Sequence, residues 1–132
     1  MDAGGPGGRP AVGGAFVLTF IIGPLWSGKR DFACRLLGCT REELSARAVW
    51  DVQELAAGCP GQAGLEALAD RLAAREVVIL TEEGGGVVPA DPAQRAARES
   101  AGRLACLLAE RAVCVGRVFC GLPLVLKGEC KL

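Results

Sequence analysis

The chain has 132 residues, enough for one domain burying roughly two thirds of its unfolded surface, so neither a disulfide nor a metal is needed to hold it together. Lys plus Arg and Asp plus Glu both number 15, which leaves no net field to attract nucleic acid or an anionic membrane. With no histidine and with seven cysteines that form no C-x-x-C pair, a Cys/His zinc site is excluded, and most cysteines are expected to be reduced, buried small hydrophobes of a cytoplasmic protein.

Residues 1–14 are rich in Gly and Pro with almost nothing to bury, and read as a flexible extension; a single domain is expected over 15–132. The leader "MDAGGPGGRP" has one Arg balanced by an Asp, and no small-residue cleavage site follows it. The next apolar run therefore reads as a strand rather than a secretory signal. No run approaches the roughly 20 apolar residues of a membrane span. "AFVLTFII", from Ala15, is a continuous apolar stretch suited to a strand covered on both faces, and Gly23 is expected to end it.

From Ser27 the pattern turns helical, with Phe32, Leu36 and Leu37 on one side and Gly38 as C-cap. Thr40 to Glu43 has the form of a capping box, and "RAVWDV" predicts a brief second strand ending at Asp51. Leu65, Leu68, Ala69 and Leu72 share a helix face before the strand "EVVILT". Asp91 and Pro92 form an N-cap and N1 pair for a helix reaching about Arg111, with Leu104, Ala105 and Leu108 inward. "AVCVGRVFC" and "LVLK" close the chain as strands joined at "GLP". Strands alternating with helices imply an α/β class and a P-loop-type three-layer fold with a mostly parallel sheet.

Chemistry is expected first at "GPLWSGKR", which keeps the spacing G-x-x-x-x-G-K of a phosphate-binding loop between a strand and a helix. In such a loop Gly23 and Gly28 permit the backbone path that turns N–H groups toward a phosphate. Ser27, Gly28, Lys29 and Arg30 would then line the nucleotide, with Lys29 as a point charge on its outer phosphates. Position 30 would carry a Ser or Thr to ligate Mg²⁺, and Arg30 has no lone pair to offer. The same residues also read as an ordinary Gly-Pro turn with a solvated lysine. A second group, "TEEGGGVVP", follows the "EVVIL" strand where an open α/β sheet places its ligand crevice. Glu82 or Glu83 there would polarise a nucleophile or hold Mg²⁺ through water, and Asp51 would serve as a magnesium ligand; as alternatives these acids end strands or line a solvated turn.

Together "VVILTEEGGGVVP", "ADPAQRAARESAGRL" and "RVFCGLPLVLK" resemble the C-terminal half of the adenosylcobinamide kinase and adenosylcobinamide-phosphate guanylyltransferase family of cobalamin assembly. Glu82, Gly84, Gly86, Val87, Val88 and Pro89 keep the places of its N-E-x-G-x-G-[IV]-V-P motif, with Thr81 at the Asn. Its R-x-x-R-[DE]-x-x-G-R helix falls without a gap on Arg95, Arg98, Glu99, Gly102 and Arg103. Gly121 and Lys127 match the terminal S-G-I-G-x-x-x-K, with Cys120 at the Ser, and Ile22 through Arg30 is similar to the family's G-G-x-x-S-G-K-S loop.

The resemblance implies a nucleotide-dependent phosphotransferase that phosphorylates the aminopropanol hydroxyl of adenosylcobinamide. Its partners would be ATP or GTP with Mg²⁺ and a corrinoid, with homo-oligomers possible and no nucleic-acid or membrane partner. Lys29 and Glu82 would be catalytic, and Arg95, Arg98 and Arg103 phosphate or corrinoid contacts. The chain departs from the family at Arg30, in a shorter middle section, and in lacking the histidine through which family members transfer GMP. The departures favour an alternative, a nucleotide- or corrinoid-binding relative that has lost the chemistry and acts as a binding or oligomerising subunit.

Overall fold

The computed structural model describes residues 17–59, 61–82 and 91–129. The expected extension 1–14, the strand start at Ala15, Glu83 and the glycines through Pro89, and Cys130 lie outside the described residues. In chain order the elements are β1 (Thr19–Pro24), α1 (Lys29–Leu37), α2 (Arg41–Arg47), β2 (Ala48–Val49), α3 (Gln53–Ala57), α4 (Gly61–Leu72), β3 (Val77–Glu82), α5 (Pro92–Arg111), β4 (Cys114–Phe119) and β5 (Leu122–Lys127).

Side-chain alternation along the central strands builds two cores, one on each face of the sheet. Phe20, Val78, Leu80 and Val115 pack on one side with Val52 and Ala56 of the α3 segment, Leu65, Leu68 and Leu72 of α4, and Leu104 and Leu108 of α5. Ile21, Val77, Ile79 and Val118 pack on the other with Phe32 and Ala33 of α1 and Leu44 of α2. The five strands lie in the order β2-β3-β1-β4-β5, parallel except for the antiparallel β4–β5 pair. The leftward crossover from β1 to β2 runs over the α1 face, and the two rightward crossovers, β2 to β3 and β3 to β4, run over the α5 face. All three therefore share one hand, as parallel connections require.

Local signals in the chain act as expected at several element ends. Gly38 caps α1 in the left-handed conformation, and its N–H donates to the Cys34 carbonyl. Thr40 and Glu43 form a reciprocal capping box that starts α2. The Asp91 side chain accepts from the Ala93 N–H at the head of α5. Among the described residues no helix is long and apolar enough to cross a membrane.

Four expectations are corrected. β1 does not stop at Gly23, because Gly23 and Pro24 stay in register with Thr81 and Glu82 of β3. The second strand is only Ala48 and Val49: the capped α2 consumes the chain through Arg47, and Asp51 leaves the sheet with a left-handed φ of 58°. The last two strands join at Cys120 and Gly121, both at positive φ as a type I′ hairpin requires, so Leu122 and Pro123 belong to β5. The thiols are less buried than expected: Cys106 and Cys120 fall on outward positions of α5 and the hairpin and are exposed. Cys34, Cys39 and Cys59 are half-buried, all five are free, and Cys114 is disulfide-bonded.

Leu108 is fully buried between α5 and the sheet, whereas Leu124 on the edge strand β5 is 61% exposed. Leu108→Ala should lower stability by about 2–5 kcal/mol through lost burial and a residual cavity. Leu124→Ala should change it by no more than about 0.5 kcal/mol. Chemical denaturation of both variants checks this, and equal losses would show that the core is not where the two clusters put it.

Candidate functional site

The loop between β1 and α1 begins at a close approach that only glycine allows. A Cβ on Gly23 would run into the Val118 carbonyl of β4 and come within 2.8 Å of Ser27 Oγ. The β4–β5 hairpin then locks the loop from outside, since the Gly121 N–H donates to the Ser27 carbonyl at 2.7 Å. Trp26 and Gly28 take left-handed φ values of 62° and 93°, a backbone path that turns neighbouring N–H groups to a common side. Gly28 offers no side chain to cap α1, so the first turn has no side-chain cap and presents the positive end of the helix dipole.

Lys29 sits at the start of that helix and is only 7% exposed. Its Nζ reaches back across the loop and donates to the Pro24 carbonyl at 2.6 Å. Among the described residues it makes no ion pair. Burial pushes its ammonium below its ordinary pKa, a shift that Asp51 and Glu82 oppose and Arg30 reinforces. Ser27, also buried, has an Oγ without a hydrogen-bond partner among the described residues.

A cavity of about 360 Å³ opens in front of this loop, bounded by Ser27 to Arg30, Trp50 and Asp51, with Ile79 and Thr81 of β3 as part of its wall. It lies at the C-terminal ends of parallel strands, where one crossover leaves to each face of the sheet. Asp51 is held there by the Thr81 hydroxyl, which donates to Oδ1 at 3.2 Å, and the adjoining Gln53 Oε1 accepts from the Thr81 N–H at 3.0 Å. Sequence reasoning missed Thr81 as a member of the site, and the alternation of β3 was the signal available: Ile79 and Thr81 share the face of α1.

Gly23, Ser27, Gly28, Lys29, Arg30 and Asp51 are thus brought together, and Glu82 is not. As the next residue of β3 it points to the opposite face, where Arg117 grips it with Nε to Oε2 at 2.9 Å and Nη2 to Oε1 at 3.1 Å. There it lines a second cavity of about 210 Å³ with Ile22, Leu80, Arg98 and Gly102, and Thr81 touches both cavities. Arg98 is half-buried in that wall, Arg95 is exposed, and Arg103 pairs with Glu99 one turn back along α5. Lys127 lies away from the loop and donates to the Ala109 and Glu110 carbonyls at the end of α5.

Compared with models of known protein families and with curated proteins, the chain matches none.

The lowered Lys29 pKa sets a pH dependence. The folded chain releases this proton at lower pH than the unfolded chain, so between the folded value and 10.5 the unfolded state binds more protons and stability rises with pH. Lys29→Met should remove that rise. Denaturant midpoints of both proteins across this alkaline window, taken as a difference, test it; parallel curves would mean that Lys29 titrates alike in both states.

Proposed function

We propose that the chain binds a nucleoside triphosphate, ATP or GTP, against the β1–α1 loop and passes its terminal phosphoryl group to a hydroxyl of a second ligand. One observation carries this reading: Lys29 is a buried lysine that makes no ion pair with a carboxylate among the described residues. Buried charges in proteins are ordinarily paired, and a phosphate arriving at the head of α1 supplies the missing charge. The P-loop spacing, the central position of β1 and the uncapped helix support the same conclusion. The family resemblance names the acceptor, the aminopropanol hydroxyl of adenosylcobinamide, and so a place in cobalamin assembly.

In this reading the amides of the loop hold the phosphates while Lys29 and Arg30 meet the charge that develops on the transferred group. Asp51 takes the proton of the attacking hydroxyl. The new bond joins the acceptor oxygen to the γ-phosphorus as the bond to the β–γ bridging oxygen breaks, and the nucleoside diphosphate leaves. Glu82 acts from the second cavity, where its pair with Arg117 orients an acceptor that reaches over Thr81. A binding protein without transfer is the second reading, favoured by the engagement of Glu82 with Arg117. Transfer of labelled phosphate to adenosylcobinamide separates the two.

Lys29→Ala should weaken triphosphate binding by roughly 2 kcal/mol, or about 30-fold, the worth of a charge-assisted hydrogen bond and its charge. Calorimetric titration of folded protein measures it, and an unchanged affinity would rule out the phosphate loop as the binding site.

Transfer of GMP through a covalent histidine is not open to a chain without histidine. Burial and the neighbouring Cys39 also push the Cys34 thiol up, away from the reactive thiolate. Incubation with α-labelled GTP should therefore leave no acid-labile adduct. A label mapped by mass spectrometry to Lys29 or a cysteine would contradict this.

A further inference from the structure

We infer that the β1–α1 cavity takes its polyphosphate as the metal-free anion, with the Arg30 guanidinium standing where a divalent cation would otherwise be held. The inference rests on the triphosphate reading above and deepens it. In an intact phosphate loop the residue after the lysine gives a hydroxyl oxygen to Mg²⁺. Here that residue is Arg30, with five donors and no acceptor.

Its guanidinium is held over the Trp50 ring at 5.4 Å from the centroid. The indole packs in turn against the core that contains Phe32 and Leu44, so the platform beneath the cation is anchored. Arg30 also stands near enough to Lys29 to disfavour its charge, an effect that Asp51 and Glu82 oppose, and neither cation is ion-paired among the described residues.

The oxygen donors around them do not fit a magnesium ion, which demands near-octahedral oxygen ligation. Asp31 is committed to Arg41, and one oxygen of Asp51 to the Thr81 hydroxyl. Ser27 Oγ is enclosed against Gly23 rather than open to the cavity. Among the described residues no three His, Cys, Asp or Glu side chains gather to hold an ion. A free polyphosphate keeps its full charge for Lys29 and can meet the planar fork of Arg30 with two oxygens at once. A bound magnesium ion cancels two of those charges and covers the oxygens the fork would grip.

The test is calorimetric titration of the wild-type chain and Arg30→Ser with the β,γ-imido analogues of ATP and GTP, in excess EDTA and in MgCl₂ at matched ionic strength. Arg30 is exposed, so the substitution leaves the fold in place, as circular dichroism will verify. The wild type should bind at least as tightly in EDTA as in magnesium. Arg30→Ser should lose about tenfold or more in EDTA, the worth of a charge-assisted contact, and recover part of it with magnesium. Trp50→Leu, which frees the guanidinium while keeping an apolar side chain, should lose about threefold in EDTA. Wild-type binding that appears only with magnesium would overturn the inference and leave the triphosphate reading standing. Absence of binding by either analogue in both buffers would overturn both.

Discussion

One buried lysine anchors the loop end of the sheet. Lys29 lies at the head of α1, only 7% exposed, its ammonium donating to one backbone carbonyl and, among the described residues, ion-paired to no carboxylate. The loop around it is fixed by contacts of the backbone. Gly23 lets β1 press against β4, the hairpin turn grips the Ser27 carbonyl, and the left-handed residues Trp26 and Gly28 carry the chain sharply into the helix. Burial drives such a charge to lose its proton, and an anion drawn to it would oppose that.

The sheet explains why the charge sits where a ligand can reach it. β1 is central, flanked by β3 and β4, and the connections after β1 and β3 depart to opposite faces. The strand ends diverge between them, and both cavities form there, the first against the head of α1 and the second against α5. Thr81 stands at their boundary, buried, its hydroxyl holding Asp51 and its N–H held by Gln53. The short second strand contributes through the turn at its C-terminal end: Asp51 at positive φ redirects the chain so that its carboxylate and the Trp50 ring frame the cavity opposite Lys29.

Much of this architecture is legible in the chain itself. Unbroken apolar runs mark β1 and β3, the spacing of Leu65, Leu68 and Leu72 marks the inward face of α4, and Thr40, Gly38 and Asp91 mark helix ends through local hydrogen bonds that depend on few neighbours. The place of the loop between β1 and α1 is equally legible, since an apolar run precedes it and a helical pattern follows. The unread features depend on distant partners. Glu82 looks like a neighbour of the loop, but a strand turns successive side chains to opposite faces, and its partner Arg117 lies 35 residues away. The stacking of Arg30 on Trp50 joins two elements whose meeting no local pattern announces. That Lys29 makes no ion pair among the described residues is a property of the folded surroundings alone.

The central claim is that Lys29 and the amides at the head of α1 await a phosphate. The most direct measurement is a nuclear magnetic resonance titration of ¹⁵N-labelled protein with ATP and GTP, following the backbone amides of Gly28, Lys29 and Arg30 together with the Lys29 side-chain nitrogen. These signals should move first and saturate together, with the pKa of the Lys29 ammonium rising as the anion neutralises its charge. Saturable shifts confined to Ala101, Gly102 and their neighbours at the second cavity, with the loop amides unmoved, would contradict it.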